Sequence, residues 1–226
     1  MIASWWAPDW LVSPMRILLD WFLHVTGNYG VAIILLTLVV RAIILPLTIY
    51  QTKAMKKMQE IQPLIKGLQD KYKDQPDKLN QEMMALYKTQ GVNPFAGCLP
   101  LLIQMPFLYA IFGVLQNFTV VPPMSPSFLW IADLNAKDPL FILPVITVVS
   151  MFLQSYLSGA GNDPNQKIML YLMPLLFGWI SFQMGQSGVV LYWVISTVFG
   201  LVQQAIYPGF PRLKPAVDAK GAAKAK

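Results

Sequence analysis

One guanidinium, that of Arg41, lies inside the apolar run YGVAIILLTLVVRAIILPLTIY at 29–50, which is long enough to cross a bilayer as a helix. A charge at that depth costs a few kcal/mol or more, so it usually faces protein or water and has a task. The eleven carboxylates fall at positions 9, 20, 60, 70, 74, 77, 82, 133, 138, 163 and 218, none of them within an apolar run. No buried acid is therefore available to neutralise Arg41. What remains is water, neutral polar side chains, or an acidic group brought from outside the protein. That chemistry is recognition of an anion. Bond-making is disfavoured, because the apolar runs hold no carboxylate pair, metal cluster or histidine. The sequence predicts no catalytic residue, no metal and no cofactor.

Other polar side chains recur at helical spacing in the apolar runs. Thr37, Arg41 and Thr48 share a face of the first, and Gln104 stands alone in the second. Thr147, Ser150, Gln154 and Ser158 line one face of the next, at steps of three and four. In the last, Ser196, Gly200 and Gln203 share a face with Trp193. Each taken singly is best read as a helix–helix hydrogen bond, worth ~0.6 kcal/mol. Together with an unpaired Arg41 they predict a shared wet cavity. Arg41 lies roughly 18 Å from the outer end of its helix, at 1.5 Å per residue. A cavity that reaches it therefore opens inward. Pro46, Pro100, Pro106, Pro144 and Pro174 are expected to bend or locally break their helices and so splay the bundle.

The elements that must position these side chains follow from composition. The 226 residues are 55% hydrophobic and 12% charged, against roughly 25% charged in a soluble domain, which marks an all-α polytopic membrane protein. Five spans are predicted, at 29–50, 95–118, 139–158, 168–184 and 189–207, without the two-residue alternation of a β-barrel. Eight lysines fall in 51–94, one in 159–167, and five basic residues in 208–226. Arg16 and Lys137 lie on the opposite side. The positive-inside rule then puts the N-terminus outside and the C-terminus in the cytoplasm. The expected organisation is an external segment over 1–27, a five-helix core over 28–207 with a cytoplasmic hairpin at 52–90, and a basic tail over 208–226.

The N-terminus MIASWWAPDW lacks the basic start and apolar core of a secretory signal. Met15, Leu18, Leu19 and Phe22 repeat at helical spacing beside Trp5, Trp6, Trp10 and Trp21, which suits a helix lying in the outer interface. Cys98 is the single cysteine, so an internal disulfide is excluded. His24 reads as interfacial. The sequon at Asn117 carries little weight, because chance matches are frequent.

Residues 52–90 are polar and lysine-rich. Met58, Ile61, Ile65, Leu68 and Tyr72 step by three and four, and Leu79, Met83 and Leu86 resume the pattern after the break at 73–76. This predicts an antiparallel helical hairpin, with Pro63 bending its first arm, Pro76 and Asp77 opening the second, and Gly91 and Pro94 closing it. A solvated connector is the plain reading. The functional one is a docking arm in which Met55, Met58, Met83 and Met84 offer adaptable apolar contacts. Its lysines, and those of the patternless tail, suit anionic lipids or ribosomal RNA equally well on charge grounds.

Ordered motifs carry a resemblance. VVRAIILPLTIYQTKAMKKMQEIQP is followed by YKDQPDKLNQEMMALYKTQGVNPFAGCLPLLIQMPF, then WIADLNAKDPLFILPV, MFLQ and LYWVISTVFGLVQQ. From about residue 14 to residue 208 the chain resembles the YidC/Oxa/Alb family of membrane protein insertases, in its short, five-span bacterial form. The resemblance implies five helices around a hydrophilic groove, open to the cytoplasm and to lipid and closed on the outer face. It also implies that Arg41 is the groove arginine, Gln154 the polar position of the third span and Trp193 the aromatic position of the fifth. The implied partners are nascent membrane proteins, the ribosome and, for larger substrates, the SecYEG translocon.

The expected function is insertion: an acidic outer tail crosses through the groove past Arg41 while its apolar segment slides into lipid. No GxxxxGK[ST] motif is present to power it. Two other classes stand beside it. A transporter with Arg41 as its anion site would be expected to show internal repeats, and none is found. An assembly-only membrane chaperone fits the same residues.

Overall fold

Backbone N–H and C=O groups find no partners in lipid, so apolar runs of this length fold as helices that satisfy themselves. The computed structural model describes residues 9–93, 99–116, 118–157, 164–183 and 186–206. Its regular elements are eight α-helices: α1 (Asp9–Thr26), α2 (Tyr29–Glu60), α3 (Gln62–Lys71), α4 (Pro76–Thr89), α5 (Leu99–Gln116), α6 (Ile142–Leu157), α7 (Pro164–Gln183) and α8 (Ser187–Ile206). Among the described residues, α2 and α8 are long and apolar enough to cross a bilayer, and shorter apolar helical stretches at Gln104–Leu115, Ile142–Leu157 and Leu170–Gln183 fall in the other three runs.

Local chemistry sets the boundaries. Gly27, at φ +67°, ends α1 with its N–H on the Leu23 carbonyl at 2.8 Å, a left-handed cap that glycine adopts without penalty. Asn28 then opens α2, its side chain accepting from the Val31 N–H at 3.1 Å. The expected bend at Pro63 is a restart: α2 stops at Glu60 and Pro63 takes the first turn of α3, where a missing N–H costs nothing. Pro144 likewise lies in the first turn of α6, while α2, α5 and α7 run unbroken through Pro46, Pro106 and Pro174. The prolines thus leave these helices continuous. Pro94, Cys98, Asn117 and Ser158 fall outside the described residues.

The helices pack in an open ring. Chain neighbours α1 and α2 pair, α2 packs on α8, α8 on α6 and α6 on α7. α5 leans on α1 and touches α2 and α8 more lightly. Among the described residues α5 has no extended contact with α6 or α7, and the ring parts there. The seams are close because small residues let backbones approach. A β-carbon on Gly178 of α7 would overlap the Val148 side chain of α6, and one on Gly200 of α8 would lie 2.5 Å from Nε2 of Gln154. The outward faces stay apolar: Leu175 and Trp179 of α7 are 64% and 62% exposed, with Ile43, Val145 and Val202 alike on other helices. An apolar surface of that extent suits lipid.

The end of the bundle at which α2, α6 and α8 begin is joined by the segment from Phe118 to Phe141. Tyr29 donates its N–H to the Ser125 carbonyl at 2.9 Å, Ser125 donates to Gly27 at 2.9 Å, and Asn28 Nδ2 donates to Ser127 at 2.9 Å. On α8, the N–H groups of Ser187 and Gly188 donate to Ala136 and Leu134, both at 2.8 Å. Asp138, 5% exposed, accepts from Trp130 Nε1 at 2.9 Å, Leu140 N at 3.1 Å and Leu143 N at 2.7 Å, so it caps α6 and anchors the segment to it. At the other end α3 and α4 pack on each other. Ile61, Ile65 and Val92 form a small core there, with Met58, Met83, Leu86 and Tyr87 against it. Val92 returns its N–H to Tyr87 at 3.0 Å, past Gly91 at φ +60°.

Candidate functional site

The register between α2 and α8 places the polar residues in layers. Gly188 packs on Ile33. Fifteen residues further along each helix, Gln203 Nε2 donates to Thr48 Oγ1 at 3.0 Å. The two helices therefore run parallel with one constant offset. That offset sets Ser196 level with Arg41, and Tyr192 level with Thr37. Gln154 on Gly200 and Pro144 near Val190 share a second constant offset between α6 and α8, which brings Ser150 to the level of Ser196. Arg41, Ser150 and Ser196 thus form one polar layer across three helices.

Within that layer the side chains differ in what they already hold. Arg41 is half-buried, and among the described residues it makes no hydrogen bond and has no carboxylate within 4 Å. Its nitrogens are not among the sealed polar atoms that lack a partner, so they keep accessible surface. Ser196 is 3% exposed and its hydroxyl has no hydrogen-bond partner, a condition that costs about 1–3 kcal/mol. Ser150 is buried and donates to the Thr147 carbonyl at 3.2 Å.

One turn toward the start of α2, Thr37 is fully buried and donates to the Ile33 carbonyl of its own helix at 2.6 Å. Tyr192 lies at that level, 1% exposed, and its hydroxyl accepts from Gln104 Nε2 at 3.0 Å. This bond joins α5 to α8 across the interior. Side chains on a helix lean toward its N-terminus, so the Arg41 guanidinium extends from its own level toward that of Thr37 and Tyr192. Trp193 is half-buried with its ring edge-on to Phe177 at 5.2 Å. Gln154 is half-buried across Gly200.

Of the residues singled out in the sequence, the structure brings Arg41, Gln104, Ser150, Gln154 and Ser196 to the interior faces. It gives Gln203 to Thr48 as a bridge between α2 and α8, and turns Thr37 onto its own backbone. Among the hairpin methionines, Met58 and Met83 pack into the α3–α4 core, Met84 is 53% exposed, and the side chain of Met55 lies outside the described residues. Tyr192 was not foreseen. A tyrosine beside Trp193 in an apolar run reads as an interfacial aromatic, and only its pairing with Gln104 sets it apart.

Comparison with known proteins places this geometry in context. The family model described as 60Kd inner membrane protein matches residues 21–211. A membrane protein insertase YidC from Wolinella succinogenes is 47% identical over 193 residues, covering 85% of this chain and 36% of that protein. The YidC insertase of Geobacter sulfurreducens is 40% identical over 194 residues, with 86% and 36% covered. A crystal structure of active YidC insertase with its first transmembrane domain resolved superposes with a TM-score of 0.68 at 31% identity, over 90% of this chain and 46% of that one. The chain spans little more than a third of the length of the curated relatives it matches.

Proposed function

The chain belongs to the 60Kd inner membrane protein family, and from that premise we propose that it is a membrane protein insertase whose groove carries short acidic tails past Arg41. The observation that bears this reading is the half-buried Arg41, without ion pair or hydrogen bond among the described residues, inside a bundle with an apolar exterior. An unassisted tail must cross ~30 Å of hydrocarbon. A wet groove shortens that path and offers a positive charge midway, where attraction is stronger than in bulk water. A membrane potential positive outside favours each acidic charge by about 2.3 kcal/mol per 100 mV. The apolar segment leaves laterally where α5 and α7 part, and partitions into lipid. Partitioning and the potential supply the energy, and no covalent bond changes.

In this reading five spans cross the membrane, at the α2, α5, α6, α7 and α8 positions, with the N-terminus outside and the C-terminus cytoplasmic. Helix α1 lies in the outer interface, where Met15, Leu19 and Leu23 face the bundle and Trp10 and Trp21 face outward. The α3–α4 hairpin is the cytoplasmic docking arm, with exposed Leu64 and Met84 amid its lysines. The ribosome, SecYEG and anionic lipids are its proposed partners, and the substrate groove comprises Arg41, Gln154, Trp193, Thr37, Gln104, Ser150, Ser196 and Gln203.

The test is protease protection of a single-span substrate with one or two acidic tail residues, in proteoliposomes under an imposed potential. Protection that needs the protein and fails with Arg41→Ala supports insertion through the groove charge. Protection that survives the substitution makes lateral sliding the main route. No protection above empty liposomes leaves an assembly-only chaperone as the better reading.

A further inference from the structure

Tyr192 has a hydrogen-bonding capacity that its own fold does not use. Its oxygen accepts from Gln104 Nε2 at 3.0 Å, and its hydroxyl proton goes to no acceptor among the described residues. The side chain is almost wholly buried. A phenol with an idle proton on α8, one turn from the level of an arginine with idle donors on the facing α2, leaves two groups on adjoining helices short of acceptors. No carboxylate of this chain lies within 4 Å of that arginine among the described residues. A carboxylate has two oxygens and about four acceptor sites, and one arriving from outside would serve both donors at once.

We infer that the Tyr192 hydroxyl, held in place by the Gln104 carboxamide, is a second binding group for the substrate's acidic side chain, donating to one carboxylate oxygen while Arg41 holds the other. The inference rests on the proposed insertase reading and deepens it, because it names a specificity determinant. Arg41 alone attracts any negative charge. An added neutral donor at a fixed place favours a carboxylate at one depth in the groove. Gln104 acts through Tyr192 and is a positioning residue: with the phenol oxygen fixed as its acceptor, the hydroxyl proton is left for a guest.

The experiment compares paired single-span substrates, one with an aspartate in the tail and one with asparagine at the same place, in proteoliposomes under an imposed potential. The readout is the ratio of aspartate-tail to asparagine-tail insertion. Tyr192→Phe, which removes one oxygen, is expected to lower that ratio about tenfold, in keeping with one hydrogen bond to a charged group. Gln104→Met, at a half-buried position, is expected to lower it about threefold, and it serves as the test if the phenylalanine variant does not accumulate. An unchanged ratio in both variants, while Arg41→Ala still lowers it, overturns the role of Tyr192 and leaves the insertase reading standing. A ratio that Arg41→Ala does not lower removes the groove-charge reading, and this inference with it. Equal loss for both tails in Tyr192→Phe assigns the hydroxyl to packing or to a lipid phosphate, and also overturns the proposal.

Discussion

The cap where α2 and α8 begin and the polar layer around Arg41 are built from similar groups, yet they differ in how many of them are paired. At the cap, Asp138 accepts three hydrogen bonds, and the N–H groups of Tyr29, Ser125, Ser187 and Gly188 all find carbonyls. Further along α2 and α8, Arg41 and Ser196 have no partner among the described residues, and one turn nearer the cap Tyr192 keeps a proton in reserve. Buried polar groups are ordinarily satisfied. The cap follows the rule in its backbone groups and at Asp138, with the Tyr29 hydroxyl and Gln186 Oε1 as unpaired exceptions. In the layer, the donors of Arg41 and the hydroxyl of Ser196 are themselves unpaired among the described residues. Under the proposed reading, the first closes the fold and the second meets an acceptor from a substrate. The contrast implies that substitutions at the cap should cost stability, while substitutions in the layer should cost insertion.

The largest effect is expected at Arg41. Arg41→Glu places a like charge on the path of an acidic tail and should abolish its insertion in the liposome assay, whereas Arg41→Lys should retain much of it. Equal loss in both would make Arg41 a packing residue and erase the contrast. Next comes Asp138→Ala, which leaves the Trp130 indole and the Leu143 N–H without their acceptor. Loss of about 3 kcal/mol is expected, read as a lowered Tm in detergent, with the aspartate-to-asparagine insertion ratio held at the wild-type value. A changed ratio would show that the cap also tunes the groove.

Gly30→Ala tests the cap from its apolar side. A β-carbon at Gly30 would overlap the ring of Phe128, which is a rigid neighbour, so the closing segment must shift. About 1–3 kcal/mol of destabilisation is expected, again as a fall in Tm. At Gly200 the obstructing atom is the far end of the flexible Gln154 side chain. Gly200→Ala should therefore cost less stability than Gly30→Ala and instead displace the Gln154 amide within the layer. The reverse order of Tm would mean that Gln154 is held as firmly as the cap.

How much of this was legible differs between the same two regions. Arg41, Gln104, Gln154 and Ser196 stand out in the sequence because a polar side chain in an apolar run contrasts with its neighbours. Helical periodicity then assigns them to faces, and α2, α5, α6, α7 and α8 each cover one of the predicted runs. The cap left no such trace. Its bonds run between backbone groups of Gly27, Ser125, Leu134 and Ala136 and helix ends distant in the chain, and irregular backbone has no period to read. Asp138 looks like a loop acid until Trp130 and Leu143 are seen to converge on it. Tyr192 was hidden for a different reason, since tyrosine suits both lipid interface and polar interior. Of the effects expected of the prolines, the interruption near Pro63 is present, at the junction of α2 and α3. Pro144 sits harmlessly in a first turn, and the helices through Pro46, Pro106 and Pro174 are not broken, as neighbouring helices support them.

The smallest effect sharpens the boundary of the layer. Gln203 and Thr48 satisfy each other at 3.0 Å between α8 and α2, so despite its place on the polar stripe Gln203 behaves like the cap. Such a bond between membrane helices averages ~0.6 kcal/mol, because a polar group in the unpaired state also finds partners. Thr48→Val should thus lower Tm only slightly, and Gln203→Leu alike. The double variant should match either single one, since removing both partners leaves nothing unsatisfied. If Gln203→Leu instead lowered the aspartate-to-asparagine insertion ratio while Thr48→Val did not, the glutamine would be releasing its threonine to meet a guest. The binding layer would then extend two turns further inward than the resting bonds suggest.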